Sequence, residues 1–270
     1  MDAPRPQSAP TPAVLPLGPI LLVRLGAVGD VIRALPALDL LRRALPDAVI
    51  DWLVEERCAE VLREHPDLRQ LVVLRRKAVV RSASRLQLPA ALRTVRSTLL
   101  QLKEGRYAAV VDLQGTLKSA LLARASGCPL RIGLAAGHAK EAAQRFYTHR
   151  VDPGSGRFSR VERNLRLLAP LGVDASRQPA PRALLPLGVA HRQWAHDVLA
   201  SLAPGAGPRV VLYPGTSKRQ AYKRWPEERF GELAGRLADH GVQVLVAGGP
   251  DEGDLIRAVV HTSNMVLADG

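Results

Sequence analysis

Short apolar runs, each followed by a glycine-rich or polar turn and then by apolar residues at helical spacing, recur along most of this chain. The first is Ile20-Leu21-Leu22-Val23, a run that predicts a buried parallel strand; Gly26 and Gly29 pin the turn after it, and Asp30 opens a helix. Val31, Ile32, Leu35, Leu38, Leu41 and Leu45 continue that helix, with Pro36 either kinking it or starting its main part. Further strands are predicted at 49–54, 71–74, 107–113 and, more briefly, 130–133. Helices are predicted from Glu55 to about His65, after Pro89 with Leu92, Val95, Leu99 and Leu102 on one face, from the 114–119 turn to Ala125, and over 161–168. Residues 135–151 form a more polar stretch ending in an apolar knob at Phe146-Tyr147.

A second series begins at Arg209. It predicts a strand at 210–213, a turn at 214–218, a helix from Trp225-Pro226 to His240, a strand at 242–247, a helix over 251–261 and a third strand at Met265-Val266-Leu267. The fold class is therefore α/β with parallel sheets. The expected organisation is a disordered leader over 1–19, one Rossmann-like domain over 20–177, a Pro- and Ala-rich linker over 178–208 and a partial Rossmann-like domain over 209–270.

Composition narrows the classes. An apolar share of 47% in 270 residues supplies a globular core. Cys58 and Cys128 lack paired or metal-type spacing, which predicts buried thiols in a reducing compartment. The start of the chain lacks the pattern of a signal peptide, and no apolar run is long enough to cross a membrane, so a cytoplasmic site is expected. The formal charge is +13, and between Arg75 and Arg106 nine basic residues stand against one acid. Such a segment faces an anion or a charged surface, or else is a solvated helix face. Aromatic residues make up 4% of the chain and none interleaves with this segment, which argues against nucleic acid as partner.

The candidate chemistry sits at strand ends. Open parallel sheets bind ligands at the carboxyl edge of their strands, so Asp30 is the leading candidate for chemistry, with simple helix capping as the alternative. Gly26 and Gly29 allow positive φ or a close backbone approach by a ligand. Arg75, Arg76 and Lys77 follow the third strand at the same edge.

Taken in order, Gly26-x-x-Gly29-Asp30-Val31, Asp112-Leu113-Gln114-Gly115-x-x-Lys118-Ser119, Arg131-Ile132-Gly133, Lys223-x-Trp225-Pro226-Glu227 and Gly248-Gly249-Pro250-Asp251-Glu252 resemble the family 9 glycosyltransferases. The resemblance covers nearly all of residues 20–268 and implies a GT-B architecture, with the acceptor on the N-terminal domain and ADP-heptose on the C-terminal one. It implies inverting transfer of heptose to a Kdo residue of the lipopolysaccharide inner core, at the cytoplasmic face of the inner membrane. Asp30 then matches the general base. Gly26, Gly29, Arg75, Arg76, Lys77, Lys118 and Lys140 fall on the acceptor side, where cations meet a Kdo-lipid A type acceptor. Thr216, Ser217 and Lys223 match the pyrophosphate-binding turn, and Glu252 a ribose contact. For Thr216 and Ser217 the alternative is turn capping, for Lys223 a surface charge, and for Lys118 the first turn of its helix.

No Asp-x-Asp occurs in the sequence, so no metal site and no cofactor beyond the donor are expected. The family's Asp-(Ser/Thr)-Gly-x-x-His motif is expected just beyond Gly270, which implies an incomplete C-terminal domain. The rival to an enzyme is an inactive remnant that binds anionic glycolipid or the membrane surface.

Overall fold

The computed structural model describes residues 18–76, 88–156, 158–201, 207–216, 218–249 and 251–262. Most of the expected leader, Lys77, Ser217 and the expected strand at 265–267 lie outside the described residues. The chain forms two compact units, the first ending at Gly188 and the second starting at Val189.

The first unit is built on a six-stranded, wholly parallel sheet in the order β3-β2-β1-β4-β5-β6. Its strands are β1 (Ile20–Val23), β2 (Ile50–Glu55), β3 (Gln70–Leu74), β4 (Ala109–Asp112), β5 (Arg131–Leu134) and β6 (His149–Val151). Helices α1 (Val28–Ile32), α2 (Leu35–Ala44), α3 (Leu88–Glu104), α4 (Leu117–Ala125) and α5 (Arg160–Arg166) accompany it. Both faces are covered, which explains the uninterrupted apolar strands. Ile20, Leu22, Trp52 and Val111 pack with α2 and the 165–173 segment on one face. Leu21, Val23, Leu53 and Val110 pack with Leu102 and Ala123 on the other.

Strand order reverses at β1: β2 lies on one side of it and β4, reached after β3, on the other. The turns that follow β1 and β4 thus flank the switch point where open α/β sheets hold ligands. They are tied together by the Leu25 amide donating to Gln114 Oε1 at 2.9 Å and by Arg24 Nη1 donating to the Leu113 carbonyl at 2.8 Å. Pro36 sits in the first turn of α2, where no amide hydrogen is needed, so the proline starts that helix rather than kinking it.

The short helix expected from Glu55 to about His65 is a 3-10 helix over Glu56–Leu62, and three expectations are corrected. The polar stretch before residue 152 contains an edge strand, β6, paired with β5; His149 and Arg150 are exposed, so it lacks the apolar signature of the inner strands. The apolar face expected for α3 is buried only toward its end: Leu102 is buried, whereas Leu92 and Val95 are exposed. Finally, the span expected as linker contains a helix, α6 (Val189–Ser201); Val189 and Trp194 are exposed, which removed the periodic signal.

The second unit carries, besides α6, the parallel pair β7 (Arg209–Leu212) and β8 (Gln243–Val246) with α7 (Glu227–Asp239) and α8 (Gly253–Thr262). Leu212, Ala234 and Val244 form its core, joined by Phe230, Leu233 and Leu237. The two helices pack closely at Gly231, where a Cβ would come within 2.4 Å of Thr262.

Candidate functional site

Asp30 stands at the third position of α1, at the carboxyl edge of β1. Its carboxylate does not cap the helix; arginines from three places in the chain hold it. Arg24, at the end of β1, pairs with Oδ2 at 2.7 Å, and Arg160, at the start of α5, pairs with Oδ1 at 2.8 Å. Arg33, just after α1, reaches Oδ1 at 3.3 Å. Partial burial pushes the carboxyl up, but the guanidiniums of Arg24 and Arg160 together outweigh it and hold Asp30 below the ordinary carboxylate range. Asp30 is therefore ionised at neutral pH.

The three partners differ in freedom. The Arg24 side chain is 5% exposed and anchored to the Leu113 carbonyl, whereas those of Arg33 and Arg160 are 55% and 58% exposed. Arg160 is delivered by a capping box: Ser159 accepts from the Glu162 amide while Glu162 accepts from the Ser159 amide. Asn164, one turn further on, donates to the Arg33 carbonyl at 3.1 Å and fixes α5 against α1. Arg163 adds a fourth cation; burial, then the charges of Arg24 and Arg160, lowers its pKa. The arginine ring was not read from the sequence. The Ser159-x-x-Glu162 pattern was a signal for the start of α5, but nothing in the spacing announced that Arg160 returns to Asp30.

The glycines of the first turn act differently from expectation. Neither Gly26 nor Gly29 adopts positive φ. A Cβ at Gly26 would approach Cys58 Sγ at 3.2 Å, so its smallness serves packing, while at Gly29 the nearest atom lies 4.0 Å away and the surface beside Asp30 is open. Positive φ occurs instead at Gly115 in the turn after β4, where a Cβ would also press Leu134 at 2.9 Å. That turn is pinned by Asp112, whose Oδ1 accepts from the amides of Gln114 and Gly115 and whose Oδ2 accepts from the Tyr147 hydroxyl at 2.7 Å. Burial pushes the Asp112 carboxyl up against these hydrogen bonds.

The other first-unit residues expected on the acceptor side lie after β3, β4 and β5. Lys140 is exposed, and its amide donates to the Gly115 carbonyl at 2.8 Å. Lys118, in the first turn of α4, is paired with Glu55 at the end of β2. Burial pushes the Glu55 carboxyl up, but Lys118, Arg57 and Arg76 bring it below its ordinary value. Arg75 and Arg76 are exposed after β3. Lys77 lies outside the described residues.

In the second unit, Thr216 lies in the turn after β7 and Glu252 just beyond the turn after β8. Glu252 Oε2 accepts from the Gly249 amide at 2.8 Å, and a Cβ on Gly215 would come within 2.1 Å of the same carboxylate. Tyr213 stands beside it, its phenol pushed up by burial and by the Glu252 charge. Lys223 is exposed at the end of a 3-10 turn, its ammonium 5.6 Å from the Tyr222 ring. Ser217 lies outside the described residues. Among the described residues no cluster of three or more His, Cys, Asp or Glu has the arrangement of a metal site.

Comparison with known proteins connects this arrangement to a chemistry. The pattern of glycosyltransferase family 9 (heptosyltransferase) matches residues 95–266. Lipopolysaccharide heptosyltransferase 1 of Pseudomonas aeruginosa is 35% identical over 244 residues, which cover 85% of this chain and 61% of that protein. The enzyme of the same name from Escherichia coli K12 is 28% identical over 86% of this chain and 69% of its own length. Among solved structures, E. coli heptosyltransferase WaaC with ADP-2-deoxy-2-fluoro heptose superposes with a TM-score of 0.71 at 26% identity, covering 93% of this chain and 76% of that one. A family 9 glycosyl transferase from Veillonella parvula shares the fold at a TM-score of 0.74 and 20% identity, over 93% of this chain and 68% of that one.

Proposed function

Since the chain belongs to glycosyltransferase family 9, whose members of known structure have the GT-B fold, we propose that it transfers heptose from ADP-heptose to a Kdo residue of the lipopolysaccharide inner core with inversion at the anomeric carbon. The observation that carries this reading is Asp30: an ionised carboxylate at the switch point of a parallel sheet, beside the open surface at Gly29 and among exposed cations. In the reaction the acceptor hydroxyl oxygen forms the new bond to the anomeric carbon and its proton passes to Asp30. The bond from that carbon to the pyrophosphate breaks, and its electron pair leaves with ADP.

Arg75, Arg76, Lys77, Lys118 and Lys140 are the proposed acceptor-side cations, suited to the carboxylates and phosphates of a Kdo-lipid A type acceptor. Lys118 comes to this role already paired with Glu55, so it acts through that pair rather than as a free charge. Thr216, Ser217 and Lys223 are proposed to receive the donor's pyrophosphate, and Glu252, held by the Gly249 amide, the ribose. Backbone amides and Lys223 stabilise the departing negative charge. Among the described residues no helix is long and apolar enough to cross a membrane; a peripheral place at the cytoplasmic face of the inner membrane is the setting in which this donor and acceptor meet.

Incubation of the protein with ADP-heptose and Kdo-lipid A, read by mass spectrometry, tests the reading. The expected product carries one added heptose. Acceptor bound without product formation contradicts the transferase reading and supports a glycolipid-binding role.

A further inference from the structure

A general base must offer a lone pair to the hydroxyl it deprotonates. Asp30 has little to offer: of its roughly four lone-pair positions Arg24 uses one on Oδ2, and Arg160 and Arg33 use those of Oδ1. The site is also unbalanced in charge. Arg24 and Arg33 from the β1–α1 region and Arg160 and Arg163 from α5 surround one carboxylate, while Asp112, which faces Arg24 from β4, is committed to the 114–115 amides and Tyr147. Nε of the buried Arg24 and Nε of Arg163 have no hydrogen-bond partner. Such a cluster is short of an anion.

We propose that Arg160 is an exchangeable partner of Asp30: it holds Oδ1 while the site is free and turns to an anionic group of the acceptor when the acceptor binds, so that the base is released only by an acidic substrate. Arg160 is suited to this because its side chain is more than half exposed, whereas Arg24 is anchored and stays with Oδ2. Arg33 stays near Oδ1 at 3.3 Å, so the departure of Arg160 frees one lone pair of that oxygen, and the open surface at Gly29 leaves room for the acceptor there. Arg160 is thus a positioning and specificity residue, and a carboxylate adjoining the acceptor hydroxyl is the group it would take. The inference rests on the acceptor side of the proposed function.

The test needs no donor. The Asp30 carboxyl carbon is followed by NMR through a pH titration of the full chain, assigned with Asp30→Asn, first alone, then with the methyl glycoside of Kdo, its uncharged methyl ester, or inorganic phosphate. The charged glycoside is expected to move the Asp30 midpoint upward and the ester to leave it in place. Arg160→Gln is expected to raise the midpoint without any ligand and to weaken glycoside binding by about tenfold, the loss of one charge-assisted hydrogen bond; Arg160→Lys should recover part of both. Phosphate reproducing the upward move supports the exchange with a phosphate of the acceptor as its source. Glycoside binding with an unmoved midpoint, or equal affinity in Arg160→Gln, overturns the exchange alone. Failure of the charged glycoside and of phosphate to bind overturns it together with the acceptor reading, whereas normal midpoint behaviour without heptose transfer counts only against the transferase reading.

Discussion

The carboxylate of Asp30 is where local charge and proposed chemistry meet. Its folded pKa lies below the ordinary value, so the stability it contributes is present above the unfolded aspartate range near ~4 and is lost as pH falls through the lower folded value. Asp30→Asn should therefore flatten the acid limb of the stability curve, and at neutral pH it should lower stability by about 2 kcal/mol because Arg24 is left buried without its counter-charge. Urea denaturation across the acid range reads both effects; a limb as steep as wild type would show that Asp30 is not ion-paired in solution. Asp30 was legible in the sequence because a strand, a glycine turn and an acid at a helix start form a local pattern. Arg160 was not, because its pairing spans 130 positions and depends on how α5 docks. Asp51 was equally hidden: a fully buried acid within β2, it receives Arg69 and Gln70 from the start of β3 and the Tyr107 hydroxyl at 2.8 Å. Asp51→Ala should cost about 3 kcal/mol in a denaturant titration, since the hydrogen bonds of three side chains are lost with it.

At the scale of elements, the turn after β4 is the best-specified piece of the carboxyl edge of the first sheet. Gly133 on β5 leaves room for the Tyr147 ring, which would lie 2.3 Å from a Cβ there, and Tyr147 in turn holds Asp112. Gly133→Ala should displace Tyr147 and destabilise the unit by about 1–3 kcal/mol, the usual cost of overpacking. Gly115→Ala adds a left-handed backbone conformation to a close contact and should cost a similar amount. Thermal unfolding of both variants checks this, and a wild-type midpoint in either would mean that the turn can relax. Strands β1 to β5 were readable from their apolar runs, with boundaries shifted by a residue or two. The edge strand β6 and helix α6 were not, because neither buries a continuous apolar face and periodicity reports burial rather than backbone geometry.

For the whole molecule, the formal charge of +13 and the exposed Arg75, Arg76, Arg93 and Arg96 suit an anionic acceptor better than a neutral one. Affinity for Kdo-lipid A should fall as sodium chloride rises, because exposed charges are screened beyond about 10 Å at 0.1 M; salt-independent binding would mean that these cations do not meet the acceptor. The two-part α/β organisation followed from the alternation of strands and helices, and the likeness to family 9 glycosyltransferases rested on motifs at strand ends rather than on composition. The chain spans 61% of the length of its P. aeruginosa relative, and the activity of the whole protein is accordingly a proposal. Its most direct test is heptose transfer from ADP-heptose to Kdo-lipid A by wild type and by Asp30→Asn, with acceptor binding measured on the same samples. Removal of the base should lower turnover by about 100-fold or more while the acceptor still binds. Equal turnover in the two proteins would contradict the assignment of Asp30 as the base.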